Sequence, residues 1–193
     1  MIRVLGLGNM LMSDDGFGPY VVRVLDAFYE FPDDVQVLDV ATPGLVLAPF
    51  LVDTEAVFLV DTVKANGTAG DIRIYDRADI LGRTPQARVS PYDPALKEAL
   101  LTAAASGAGP VNVKLFGVIP DWVAPGVHLS RNVRSAVAPI IGLVITELEH
   151  LGARPKLRPT PRRPDTWWES GEVSQAALRT IAEERCRKSG TES

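Results

Sequence analysis

The sequence predicts an α/β fold, a three-layer α/β/α sandwich built on a mostly parallel five-stranded sheet with one antiparallel strand. Short apolar runs rich in β-branched residues alternate along the chain with segments of helical period, from Ile2 through Val35–Val40 and Ala56–Val60 to Val111–Ile119. Ala56–Val60 is apolar without interruption, as a strand covered on both faces requires. One strand, Asp71–Tyr75, instead alternates as a half-exposed strand and follows its predecessor after only a short Gly-containing linker, which favours an antiparallel hairpin.

In chain order, the strand beginning at Ile2 turns through Gly6, Gly8 and Asn9, presents Asp14 and Asp15, and enters a helix over Gly16–Phe31. Phe17, Val21, Val22, Leu25, Phe28 and Tyr29 carry its apolar face; Asp15 is placed to cap it, and Pro19 is tolerated in its first turn. Strand Val35–Val40 leads through Thr42, Pro43 and Gly44 into a short helix over Leu45–Val52, where Pro49 must sit in the first turn or bend the helix. Ala56–Val60 ends on Asp61. Pro94–Ala105 reads as an alanine-rich helix, broken by Gly107–Pro110, and Val111–Ile119 is the last strand. A loop carrying Trp122 and His128 follows. Ser130 then caps a long helix over Arg131–Leu151, with Pro139 placed to kink it.

Two regions differ in character. Residues 1–152 form the domain, with 18 acidic and 11 basic side chains, net −7; residues 153–193 carry 6 and 9, net +3. This second stretch is a linker rich in Pro and Arg with the pair Trp167 and Trp168, followed by a short solvated helix over Glu172–Lys188; composition favours a loosely attached appendage, and the two tryptophans offer the alternative of docking onto the body or a partner. An acidic body excludes nucleic acid as the partner. The chain has no run of about 20 uncharged apolar residues and no leader peptide, so it is expected to be cytoplasmic and away from membranes. Its one cysteine, Cys186, allows neither a disulfide within the chain nor a thiolate cluster, so any metal must be held by oxygen and nitrogen.

In open α/β sheets ligands sit beyond the carboxyl ends of the strands, which places Asn9, Asp14, Asp15 and Asp61 at the functional rim. The Gly6–Gly8 pair has the start of a dinucleotide fingerprint, but its third glycine position is Leu11. Two carboxylates at the helix start would also repel a pyrophosphate. A cation suits them. No HExxH is present, and no Ser-His-Asp or Cys-His set falls at the rim, so nucleophilic catalysis by the chain is not expected.

Gly6-Leu7-Gly8-Asn9, Asp14-Asp15-Gly16-Phe17-Gly18, Asp39 with Thr42 and Gly44, Asp61, Ser90-Pro91 and Gly117-Val118-Ile119-Pro120 together resemble the successive signatures of the NiFe-hydrogenase maturation endopeptidases. The resemblance spans residues 1–152. It implies an α/β/α endopeptidase, an aspartate-type and metal-dependent hydrolase, that removes the C-terminal extension of a hydrogenase large-subunit precursor after nickel insertion. The nickel is expected to arrive with the substrate and license cleavage, the alternative being a metal held by the chain's own carboxylates that polarises the scissile carbonyl or a bound water; the enzyme is expected to act as a monomer. By position, Asp15 matches the first acidic metal ligand and Asp61 the second, the two catalytic positions; the third, a histidine after Ser-Pro, is Tyr92 here.

A neutral phenol is a poor ligand for a borderline ion such as nickel, which favours imidazole. Asp93, His128 or groups of the substrate are the available replacements, and His128, placed after the last strand, is the best within the chain. The same departure supports an alternative, a maturation chaperone or checkpoint that binds the precursor without cleaving it.

Overall fold

The computed structural model describes residues 1–41, 44–82, 95–105, 107 and 109–169. Thr42, Ser90, Pro91, Tyr92, Asp93, Cys186 and the helix expected over Glu172–Lys188 lie outside them.

Strand β1 (Ile2–Leu7) leads through a single 3-10 turn, Ser13–Gly16, into helix α1 (Phe17–Phe28), and a two-residue strand β2 (Tyr29–Glu30) follows. Next come β3 (Val35–Ala41), a 3-10 helix over Gly44–Phe50, β4 (Ala56–Thr62), β5 (Ile72–Asp76) and the short helix α2 (Arg77–Gly82). Helix α3 (Ala95–Ala105), β6 (Asn112–Val118), α4 (Arg131–Ser135), α5 (Val137–His150), a second two-residue strand, β7 (Lys156–Leu157), and a 3-10 turn over Trp167–Glu169 complete the order among the described residues.

The main sheet runs β3-β1-β4-β6-β5, parallel throughout except that β5 pairs antiparallel with β6. One face is covered by α1 and α5, whose Val21, Val22, Leu25, Ile140, Val144 and Leu148 pack on Val4, Phe58, Val60 and Phe116. The other is covered by Leu47, Leu51, Ile80, Ala99, Leu100 and Ala103 against Leu5, Leu59 and Leu115. These are the three layers that the alternating pattern predicts. All seven residues of β4 are buried, as its continuous apolar run requires.

The antiparallel strand corrects the hairpin expectation. β5 has the orientation expected, but its partner is β6, which lies between it and β4. The linker after β4 crosses the end of β6 instead of turning back beside its own strand: Val63 N–H donates to Val118 O (2.8 Å) and Gly70 N–H to Ile119 O (2.8 Å). Gly117 leaves room for that crossing, since a Cβ there would stand 2.4 Å from the Val63 side chain.

Other elements differ in detail. The long helix is two, α4 and α5, joined at Ala136, and Pro139 produces no mid-helix kink because it is the third residue of α5, where an N–H has no intrahelical acceptor anyway. Ser130 caps α4 as expected, its Oγ accepting from Val133 N–H at 3.4 Å. The helix expected around Pro49 is a 3-10 helix with the proline near its end. Among the described residues no helix is long and apolar enough to cross a membrane.

Residues 153–169 are laid against the body as a strap. Gly152, with φ of 85°, turns the chain out of α5. β7 then pairs antiparallel with β2, Arg158 N–H donates to Phe28 O (2.8 Å) and Arg162 N–H to Ala27 O (2.9 Å). Farther on, Asp165 lies 3.6 Å from Arg23, and Trp168 is 2% exposed. Its contacts thus climb α1 from its last residue toward its first.

Candidate functional site

The chain leaves β1 for β3 on one side and returns to β4 on the other, so the carboxyl ends of β1 and β4 form the topological switch point of the sheet. Gly6 pairs with Val60 in register, which brings the turn after Leu7 level with Asp61 and Thr62. Helix α1 starts directly on these strand ends. A Cβ on Gly18 would stand 2.2 Å from Leu7 O and 2.3 Å from Val60 O, and one on Gly6 would stand 2.4 Å from Gly18 O. Glycines at 6 and 18 therefore let helix and strands touch backbone to backbone. Gly8, with φ of 133°, makes the turn; a Cβ there would lie 1.8 Å from Asp15 O.

This packing buries three carboxylates at the rim: Asp14 is 0%, Asp15 3% and Asp61 3% exposed. Asp15 Oδ2 accepts from Asn9 N–H at 2.8 Å, and its Oδ1 accepts from the Thr62 hydroxyl at 3.2 Å. It does not cap α1 as expected: Gly16 holds that position without a side-chain cap, and the carboxylate is committed to the site instead. Asp61 Oδ1 accepts from Thr62 N–H at 2.8 Å. Along β4 successive side chains alternate between faces, so Asp61 follows Leu59 and Thr62 follows Val60. Asp15, arriving from the α1 side, reaches Thr62, and Asp61 is the residue before Thr62 at the same strand end.

Asp14 faces the other way. Its Oδ2 accepts from the N–H groups of Asp121 (2.9 Å) and Trp122 (3.2 Å), and its Oδ1 from Ser130 N–H (2.6 Å). Ser13 extends the junction: its hydroxyl donates to Ala124 O at 2.9 Å and its N–H to Gly126 O at 2.9 Å. The turn that holds Asp15 and the loop after β6 are thereby one unit.

His128 does not join Asp15 and Asp61. Its side chain is 69% exposed and its Nδ1 lies 3.7 Å from Glu169 Oε1 of the strap, which also pairs with Arg134. Arg134 in turn donates to the Tyr20 hydroxyl (2.9 Å) and lies over that ring, 5.0 Å from its centroid. Partial burial works against the Arg134 charge, but hydrogen bonding to Glu169 and the neighbouring Tyr20 outweigh it and raise its pKa. Among the described residues no three His, Cys, Asp or Glu side chains converge as a metal would need. The donors at the rim are carboxylates, and the sequence position of the third ligand, Tyr92, is not among the described residues.

The sequence points to Asp14, Asp15 and Asp61 at the rim but gives no role to Ser13, Thr62 or Glu169. An adjacent acidic pair signals that two carboxylates reach the rim, but which faces the crevice depends on partners more than 100 positions away.

A hydrogenase maturation protease family model matches residues 19–147. The hydrogenase expression/formation protein HoxM of Azotobacter vinelandii is 30% identical over 152 residues, spanning 78% of this chain and 73% of that protein. The hydrogenase 2 maturation protease of Escherichia coli is 27% identical over 151 residues, 78% of this chain and 92% of its own. Among solved structures, the hydrogenase maturating endopeptidase HybD from E. coli superposes with a TM-score of 0.76 at 27% identity, covering 81% of this chain and 97% of that one. A hydrogenase 2 maturation peptidase from a Thaumarchaeota archaeon gives a TM-score of 0.58 at 34% identity, covering 78% and 97%.

Proposed function

Because this chain belongs to the hydrogenase maturation protease family and is therefore a hydrolase, we propose that it removes the C-terminal extension of a NiFe-hydrogenase large-subunit precursor once nickel is in place. Asp15 and Asp61 recognise that nickel, which is part of the substrate. One observation carries the reading: Asp61 at the end of β4, and Asp15 bonded to the Thr62 hydroxyl there, are each 3% exposed beside the switch point of the sheet. Burying carboxylates is expensive unless hydrogen bonds and an incoming cation compensate. Asp15 has two donors, Asn9 N–H and the Thr62 hydroxyl, which hold it in place before the substrate arrives.

A cation bound by the precursor and met by both carboxylates sets the scissile carbonyl at the rim. Nickel supplies Lewis acidity toward that carbonyl or toward an attacking water. The chain supplies anionic oxygens that orient the ion, and a carboxylate oxygen off the metal can take the water proton. This division of labour needs no serine or cysteine nucleophile and ties cleavage to nickel insertion.

The test is to incubate the protein with nickel-loaded precursor and weigh the large subunit. The expected result is a mass reduced by the extension, none with precursor lacking nickel, and none with Asp15→Asn or Asp61→Asn at unchanged melting temperature. Tyr92 in the position of the family's histidine favours one competing reading, a checkpoint that binds without cutting. An unchanged mass with binding intact would establish it, and recovery of cleavage in Tyr92→His would assign the loss to that residue.

A further inference from the structure

We infer that the loop 121–130 is the lip on which the precursor docks, that Trp122 is its anchor, and that Asp14 is a positioning residue that fixes this lip to the Asp15 turn. Trp122 combines two properties. Its N–H is held at 3.2 Å by a carboxylate that is itself fully buried, yet its side chain is 58% exposed. The backbone is tied to a buried carboxylate and the indole reaches water. A large aromatic held in solvent forgoes its burial energy unless a partner covers it, and tryptophan is among the residues most enriched at the energetic centres of interfaces.

The occupant follows from position. Asp14 accepts from Asp121, Trp122 and Ser130, and Ser13 binds Ala124 and Gly126, so five points of the loop are tied to the two residues preceding Asp15. Gly126 belongs to the same junction, since a Cβ there would meet Ser13 Oγ at 2.3 Å. The loop leaves the carboxyl end of β6, at the same edge of the sheet as Asp61, and is bonded to the turn that carries Asp15, so a scissile bond placed at Asp15 lies beside it. The partner is therefore the precursor segment flanking the cleaved bond, and it presents an apolar side chain to the indole. Asp14 touches no substrate in this arrangement and acts through the loop.

The inference rests on the precursor being the substrate, and the experiment separates the two. Binding of nickel-loaded precursor is measured alongside cleavage for the wild type, Trp122→Ala, Trp122→Phe, Asp14→Asn and the Trp122→Ala/Asp14→Asn double variant, each checked for an unchanged far-UV spectrum. Trp122→Ala should weaken binding about tenfold at wild-type melting temperature, with Trp122→Phe recovering most of it. Asp14→Asn keeps the shape but turns an amide NH2 toward one of the donors. It should weaken binding of the wild type severalfold and add almost nothing in the Trp122→Ala background, because its effect travels through Trp122. Equal losses in both backgrounds would make Asp14 an ordinary fold residue and overturn the inference. So would unchanged affinity in folded Trp122→Ala, which decides the matter even if Asp14→Asn fails to fold. Cleavage by a wild type whose affinity ignores Trp122 defeats the lip alone; a wild type that neither binds nor cleaves defeats the proposed function with it.

Discussion

Adding one methyl group at position 18 should disable the site from beneath. In Gly18→Ala the new Cβ would stand 2.2 Å from Leu7 O, 2.3 Å from Val60 O and 2.6 Å from Leu7 N. All three are backbone atoms of central strands and cannot swing aside, so the start of α1 must lift by about 1 Å to restore ordinary contact. The Thr62 hydroxyl already reaches Asp15 across 3.2 Å, and a lift of that size takes it out of hydrogen-bonding range. Overpacking of this kind costs about 1–3 kcal/mol, which for a chain of this length lowers Tm by roughly 3–10 °C. Thermal unfolding by circular dichroism, run beside the precursor-processing assay, measures both effects. Gly142→Ala is the control: nothing lies within 4 Å of a Cβ at that exposed position of α5, so alanine should stabilise by about 0.5–1 kcal/mol. A Gly18→Ala protein with wild-type Tm and wild-type processing would refute the claim that α1 must touch the strands for Asp15 to be seated.

Two further expectations concern the strap and the acid limit. Trp168→Ala removes a side chain only 2% exposed and should cost about 3 kcal/mol or more, and limited trypsin digestion should then cut after Lys156, which pairs with β2 in the wild type, and after Arg162, whose N–H bonds Ala27 O there. Asp71 has its pKa held below the ordinary value, first by the Thr68 N–H, then by the Thr68 hydroxyl and Arg73. Its stabilising contribution is therefore complete above the ordinary aspartate pKa and is lost as pH falls through the lower folded value. Asp71→Asn should lower Tm slightly in the neutral region, where the wild type has the full contribution, and converge with the wild type at the most acidic pH, so that the acid slope of the Tm-against-pH curve flattens.

The layers were legible because local patterns sufficed for them: β4 reads as buried on both faces, α1 has its apolar stripe, and Ser130 announces a cap. Asp15 and Asp61 were legible as rim residues for the same reason, since a strand end fixes which edge of the sheet a residue occupies. What escaped depends on contacts between distant segments. β5 was assigned to its sequence neighbour because a nine-residue linker can turn back, and only the room beside Gly117 shows that it crosses β6 instead. For the strap the composition leaves two readings, a loose appendage because its prolines and arginines carry no periodicity, and docking through its tryptophans; Trp168, the β7–β2 pairing and Arg158 hold residues 153–169 against the body. His128 was promoted by its place after the last strand, but which way a loop histidine turns is set by its partners, here Glu169.

The bonds from Asp14 join residues 107, 108 and 116 positions apart. A nascent chain on the ribosome carries the acidic turn from its first moments, yet the loop that closes over it emerges only after most of the domain has been synthesised. The cutting edge of this molecule is consequently finished late, and a half-made copy has no means of trimming anything.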